Sequence, residues 1–474
     1  MSNSKKIAII GAGPAGLSAG YELAKKAYLV DVYEADDTVG GMCKSLNLWG
    51  TTVDTGPHRF FSKNRRVNEL WLEVVKDEYK FVNRLTRINY RNKFYNYPLK
   101  PFNALSNLGI LETALCVLSY LKEKLSPTPD KGTFETWVIS RFGKRLYHHF
   151  FKTYSEKLWG IKCHELDADF AKQRIKKFSL TEAMKSVFIK TDHATLVEKF
   201  AYPLKGTGYV YSKMADRIKE LGGNVYTSRP IRKVLVEGNA VCGIELPDGQ
   251  QVKYDHVIST MPLTTLVENL PNLPSQVEEN VKKLKFRNTL IVYLNVPHHE
   301  LFPDQWLYIH APDVLVGRIT NFRNWIPELY GDQNKYSVLA LEYWFHDNDV
   351  LWKSDDTSYI INKAIEEIEA LGLTGNCEIT QGHVLRIPKC YPIYEPGYKD
   401  YLSPIESYLN SLENLTVIGR GGAFKYNNQD HSIYMGILAA ENIADNKNHN
   451  LWEVNTDDEY QEDETGLAKQ NNNI

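Results

Sequence analysis

Lys6-Ile-Ala-Ile-Ile10, Gly11-Ala-Gly-Pro-Ala-Gly16, Leu17 to Lys25, Leu29-Val-Asp-Val-Tyr33 and Glu34 form the stretch whose reading decides the fold. The opening apolar run reads as a buried parallel strand. Leu17 to Lys25 reads as a helix and Leu29 to Tyr33 as a second strand, so the glycines sit in a full βαβ context. Each glycine has a separate task. Gly11 permits the tight turn, Gly13 lets the backbone approach a pyrophosphate, and Gly16 lets the helix pack close to the strand. Pro14 and Ala15 open the helix, whose free N–H groups and positive end suit phosphate oxygens. Glu34 lies 18 residues after Gly16, where a carboxylate bonds both ribose hydroxyls and disfavours a 2′-phosphate. Ala35 follows it at the same rim.

The rest of the composition narrows the class. A chain of 474 residues suits two or three structural units, and 43% hydrophobic residues build a large core. The net charge of -2 provides no overall field for nucleic acid or an anionic membrane. Six cysteines lie far apart with no C-x-x-C pair, and they read as reduced, mostly buried thiols of a cytoplasmic protein. His148-His149 has no carboxylate or cysteine at ligand spacing, so no metal site is expected. Met1 to Lys6 is too short and polar for a signal peptide. The best apolar run, Leu108 to Leu121, is broken by Glu112 and too short to span a bilayer; it reads as a core or interface helix.

Farther along, the chain divides into alternating segments. Residues 1–66 form the first part of the nucleotide domain and 67–203 a mostly helical insertion. Residues 204–262 return to the nucleotide domain, with a helix over Ser212 to Leu221, short strands over Asn224 to Ile258, and a return strand within Tyr254 to Pro262. Residues 263–395 form an antiparallel-sheet substrate domain with strands at Thr289 to Leu294 and Val338 to Trp344 and a helix over Tyr359 to Leu371. Residues 396–446 complete the nucleotide domain with a strand at Asn414 to Ile418, a turn at Gly419 to Gly422, and a helix from Asp430, read as its N-cap. That strand–turn–helix is a second anion site. Residues 447–474 are a polar, acidic tail.

After Glu34 comes Val39-Gly-Gly-Met-Cys-Lys44, which resembles the extended FAD fingerprint of the amine oxidase and protoporphyrinogen oxidase superfamily. The fold expected is therefore α/β: a Rossmann-like FAD-binding domain built from discontinuous segments, with a helical insertion and an antiparallel-sheet substrate domain. Further motifs resemble the UDP-galactopyranose mutases and their relatives in polysaccharide gene clusters. They are Gly56-Pro-His-Arg-Phe60, Asn96-Tyr-Pro-Leu-Lys-Pro-Phe102, Phe150-Phe-Lys-Thr-Tyr-Ser-Glu-Lys-Leu-Trp-Gly160, Arg318-Ile-Thr-Asn-Phe322, and Gly419-Arg-Gly with Tyr426 and Asp430.

That resemblance implies ring contraction without net redox. Reduced flavin N5 attacks the anomeric carbon of a nucleotide sugar such as UDP-galactose and displaces UDP, and the opened sugar recloses as a furanose. It implies Arg174 and Arg318 as clamps on the departing pyrophosphate, with His58 against the flavin N5 region. Tyr154, Tyr343 and Tyr426 would donate to phosphate or sugar oxygens, and Trp159 would wall the sugar or nucleotide. Gly41, Met42, Gly56, Pro57, His58, Gly419, Arg420, Asp430, His431, Ser432 and Ile433 would line FAD. An external reductant, NAD(P)H or a reductase, would keep the flavin reduced, and a homodimer is compatible with the family. The stretch Ala201-Tyr-Pro-Leu-Lys-Gly-Thr-Gly-Tyr209 also resembles protoporphyrinogen and amine oxidases. An FAD-dependent oxidoreductase of that type is the alternative.

Overall fold

The computed structural model describes residues 5–97, 99, 101–175, 199–333, 335–375 and 377–455. Lys6–Ile10 is the middle strand of a five-stranded sheet in the order Leu415–Val417, His256–Ser259, Lys6–Ile10, Leu29–Tyr33, Asn224–Tyr226. All four pairings are parallel. Ile7, Ala8 and Ile9 have no exposed surface, which is why the run is continuously apolar instead of alternating. The helix Pro14–Lys25 starts with proline in its first turn, where no amide is missed. It packs against Gln429–Ala444 so closely that a Cβ on Gly436 would lie 2.6 Å from the Ala15 carbonyl oxygen. The two ends of the described chain thus close one unit.

The second sheet has seven strands in the order Gln381–Pro392, Phe286–Val296, Ser337–Phe345, Arg318–Asn321, Trp306–Ile309, Thr86–Tyr90, Lys93–Asn96. It is antiparallel except where Trp306–Ile309 runs parallel to Thr86–Tyr90. Strands over residues 79–96 therefore interrupt the segment read as mostly helical, and two of them belong to the substrate sheet. Thr86–Tyr90 pairs on one side with its neighbour Lys93–Asn96 and on the other with Trp306–Ile309, more than 200 positions away, and the distant pairing is what ties this hairpin to the substrate sheet. Along the central strands the two faces separate cleanly. Leu290, Val292, Leu341 and Tyr343 pack with Ile360, Ala364 and Ile368 of the helix Thr357–Ala370. Ile291, Tyr293 and Ala340 face the other way, toward Val53, Tyr202 and Trp325.

Two local readings change. The C-terminal helix begins at Gln429, and Asn428 is its N-cap; the Asn428 amide donates to His431 Nδ1 at 3.1 Å. Asp430 sits in the first turn instead, with its carboxylate at the positive end of the helix. His149, expected to lack companions, gains two from the helix Ile110–Leu125. Glu112 and Cys116 lie one turn apart on that helix and come together with His149. Arg145 takes both oxygens of the Glu112 carboxylate, and His149 Nε2 lies 2.6 Å from one of them. No helix among the described residues is long and apolar enough to cross a membrane.

Candidate active site

The turn after Lys6–Ile10 explains its glycines. Gly11 has φ +99°, and a Cβ there would meet Thr260 Oγ1 at 2.1 Å. A Cβ on Gly16 would meet the Gly11 carbonyl oxygen at 2.0 Å. Gly13 differs, because a Cβ there would come near only Gly41 Cα, at 3.8 Å. Its bareness serves whatever sits above the turn. The helix Pro14–Lys25 has no side-chain cap, so its first amides remain available to an anion. Glu34 accepts from the Ala12 amide at 2.8 Å and the Asp36 amide at 2.9 Å, which fixes the carboxylate at the strand end with lone pairs to spare. Exposed Ala35 follows it, and Met42 lies beside Cys390. Gly419, from the far end of the chain, completes the cradle, with Ala15 Cβ 3.2 Å from where its own Cβ would be.

Gly56-Pro57-His58 leads from this cradle toward the seven-stranded sheet. Thr207 Oγ1 donates to the His58 carbonyl at 2.6 Å, and Gln429 Nε2 donates to the Arg59 carbonyl at 2.8 Å. The segment is therefore held from both later parts of the nucleotide domain. Burial, and then the charges of Arg318 and Arg420, push the His58 imidazole down to about 3. It is a neutral ring at neutral pH, with one donor and one acceptor. Just before it, burial pushes Asp54 up to about 6 against hydrogen bonds from Ser45, Tyr202 and Thr207.

The sheet answers with two arginines and a wall of aromatics. Arg318 donates through Nε and Nη2 to the two oxygens of Glu342, at 2.7 and 2.5 Å. Burial works against the Arg318 charge, but Glu342 outweighs it and holds the guanidinium well above its usual pKa. Arg420 donates through Nε to the Cys390 carbonyl and through Nη1 to the Asn427 carbonyl. Its guanidinium lies over Tyr391 and Tyr426, 4.5 and 4.4 Å from the ring centroids. Tyr391 and Tyr426 stack on each other at 5.4 Å. Tyr154 stacks on His310 at 5.0 Å and meets the edge of Trp344. The charge of Arg318 reaches both Tyr154 and Tyr391.

The structure thus brings together His58, Arg318, Arg420, Tyr154 and Tyr426. Trp159 is fully buried one layer behind, packed against Phe170, Tyr394 and Tyr426. Tyr343 lies apart: it points into the core beneath Thr357–Ala370, beside Phe345 and Glu367. Arg174 occupies the last turn of the helix Ala168–Ile175. Asp430, His431, Ser432 and Ile433 are buried in the first turns of the C-terminal helix. The motif lysine between Tyr154 and Trp159 has a structural task. Lys157 Nζ donates to the carbonyls of Ala311, Val316 and Ile309, and burial pushes it down to about 8. It pins this helix to the sheet.

Sequence reading missed Glu342, Trp344, Tyr391 and Gln429. Glu342 had a signal, as the lone charge in the strand Ser337–Phe345 (SVLALEYWF), because an acid inside such a run needs a partner. Tyr391 had none, being one aromatic among several near the end of Gln381–Pro392.

Comparisons with known proteins agree with this architecture. Residues 14–444 match the family described as flavin containing amine oxidoreductase. Among curated relatives, the chain is 24% identical over 347 residues to a 4,4'-diapophytoene desaturase (4,4'-diapolycopene-forming) of Methylomonas sp, covering 64% of each. It is 27% identical over 185 residues to a probable UDP-galactopyranose mutase of Klebsiella pneumoniae, covering 37% of this chain and 47% of that one. Both matches span less than two thirds of the relative's own length. Among solved structures, reduced UDP-galactopyranose mutase superposes with a TM-score of 0.83 at 21% identity, over 96% of this chain and 98% of that one.

Proposed function

The chain belongs to the flavin-containing amine oxidoreductases, and from that membership we propose that it binds FAD and interconverts the pyranose and furanose forms of a nucleotide sugar resembling UDP-galactose. The residues fit this cofactor. Gly13 leaves room where a pyrophosphate needs it, the helix behind it is uncapped, and Glu34 follows the second strand with its carboxylate held by the Ala12 amide, where the ribose would lie. Gly41, Met42, Gly56, Pro57 and His58 would line one side of FAD. Gly419 with Asp430, His431, Ser432 and Ile433 would line the other.

The observation that carries the substrate class is the Arg420 guanidinium. Its Nη2 is buried and has no hydrogen-bond partner among the described residues, beside the rings of Tyr391 and Tyr426. An unspent guanidinium donor out of water is what a diphosphate leaving group requires. When bound, reduced flavin supplies a nucleophilic nitrogen at the anomeric carbon, so turnover consumes no electrons. Arg420 and Arg318 offset the charge gathering on the departing diphosphate, with Arg174 as a third candidate. Tyr154 and Tyr426 orient phosphate or sugar oxygens, joined by Tyr391. Trp159 stiffens the wall from behind. Neutral His58 offers one ring N–H as a donor to the sugar. A separate reductant, NAD(P)H or a reductase, is the expected partner.

One observation favours a second reading, an FAD-dependent oxidoreductase of the protoporphyrinogen or amine oxidase type. Arg318 spends two of its donors and its charge on Glu342, which weakens it as a phosphate clamp. Anaerobic incubation of dithionite-reduced protein with UDP-galactopyranose decides between them. Furanose product with the flavin still reduced at the end supports the mutase. Absence of furanose, with hydrogen peroxide formed stoichiometrically from an amine or a polyene in air, assigns the oxidoreductase.

A further inference from the structure

The helix Ile110–Leu125 turns a mixed face inward and an apolar face out. Cys116, Tyr120 and Glu123 are buried against the protein. On the opposite side Ile110 is 92% exposed, Leu111 76%, Leu118 60%, Leu121 49% and Leu125 87%. From Leu111 on, the spacing of seven, three and four residues keeps these leucines on one stripe. The helix cannot roll to hide it. The Arg145 fork holds Glu112 near one end, and the Arg145 amide donates to Ser119 Oγ at 3.2 Å in the middle. Near the other end, the Thr128 amide donates to Glu123 Oε1 at 2.6 Å.

The charge of the segment that carries this stripe departs from that of the whole chain. Lys and Arg number 56 against 58 Asp and Glu overall, but residues 84–145 contain 11 Lys and Arg and only four Asp and Glu. Glu112 cancels Arg145 and Asp304 cancels Arg87, which leaves nine basic residues against three acids in the segment. Lys122 and Lys124 are exposed beside the leucines, where their stems can lie along apolar surface with the ammonium groups above it. The near-neutral net charge conceals this local field.

We propose that the outer face of Ile110–Leu125 rests on an anionic lipid surface, with the leucines in the interface and the surrounding basic residues against the headgroups. The helix lies on the bilayer and does not cross it. A second copy of this chain fits the face less well. Antiparallel self-pairing would bring Lys122 and Lys124 toward the Glu112 end of the copy, where Arg145 and His149 already hold the carboxylate.

The test is flotation of the full-length, flavin-loaded protein with phosphatidylcholine vesicles, with and without phosphatidylglycerol. Binding to the anionic vesicles, lowered by salt, is expected. The variant Leu111→Glu/Leu118→Glu should bind about tenfold more weakly while keeping its flavin and its melting temperature, because two interfacial side chains have become charged. Lys122→Glu/Lys124→Glu should lose the preference for anionic over neutral vesicles. The proposal is overturned if wild type stays off anionic vesicles, or if the double leucine variant floats as well as wild type. Concentration-dependent self-association abolished by Leu111→Glu/Leu118→Glu, without vesicle binding, would also overturn it and assign the face to a second copy.

Discussion

The carboxylate of Glu342 and the guanidinium of Arg318 face each other across adjacent antiparallel strands and form a two-bonded pair, at 2.7 and 2.5 Å. Glu342 is almost fully buried. Removing Arg318 alone leaves that carboxylate without its counter-charge, which costs about 3–5 kcal/mol for a buried pair. Arg318→Met should therefore be much less stable to urea than wild type. Arg318→Met/Glu342→Met should recover most of the loss. Equal stability of the single and double variants would show that the pair is not coupled.

The two glycines of the nucleotide turn separate binding from folding. Gly13→Val points its side chain into space the protein leaves free, so the fold should persist and the flavin should be lost. Gly16→Val drives a side chain onto the Gly11 carbonyl, so that variant should fail to fold or melt far below wild type. Flavin absorbance after gel filtration, with circular dichroism melting, reads both. Stoichiometric flavin in Gly13→Val would mean the turn does not face the cofactor.

Asp54 gives stability a pH dependence of known sign. Burial raises its folded value to about 6, above the unfolded value of about 3.9. The folded state therefore holds a proton that the unfolded state gives up as pH rises from about 4 to 6. The contribution is fully present below about 4 and lost as pH passes through about 6, with roughly 3 kcal/mol at stake. Asp54→Asn should lack this decline. Parallel urea titrations at several pH values check it, and identical pH profiles for the two proteins would sink it.

Tyr343 and Tyr391 make opposite forecasts for the same chemical change. Tyr391→Phe removes a hydroxyl beside Arg318 and Arg420 and should weaken UDP binding by about 0.5–1.5 kcal/mol, the net worth of one hydrogen bond. Tyr343→Phe acts in the core next to Glu367 and should leave UDP affinity unchanged within about 0.5 kcal/mol. Calorimetric titration of both variants measures this. A larger loss for Tyr343→Phe would mean that the core beneath Thr357–Ala370 controls the site.

What the sequence determined by itself is what local physics can encode. Lys6 to Glu34 reads as strand, glycine turn, helix and strand because each step is set by neighbours within a few residues. The separate tasks of Gly11, Gly13 and Gly16 follow from that one turn. The joining of the chain ends was also legible, since a second glycine turn and helix follow a strand at Leu415–Val417. Tertiary structure decided the rest wherever the outcome depended on distant partners. The local hairpin of Thr86–Tyr90 and Lys93–Asn96 joined the substrate sheet only by meeting Trp306–Ile309. Residues alternate sides along Ser337–Phe345, and only the assembled sheet shows which side meets the nucleotide domain. That choice put Glu342 and Trp344 at the site and sent Tyr343 to the core. Which carboxylate holds Arg318, and which side of Ile110–Leu125 stays outside, were fixed by packing between segments far apart in the chain.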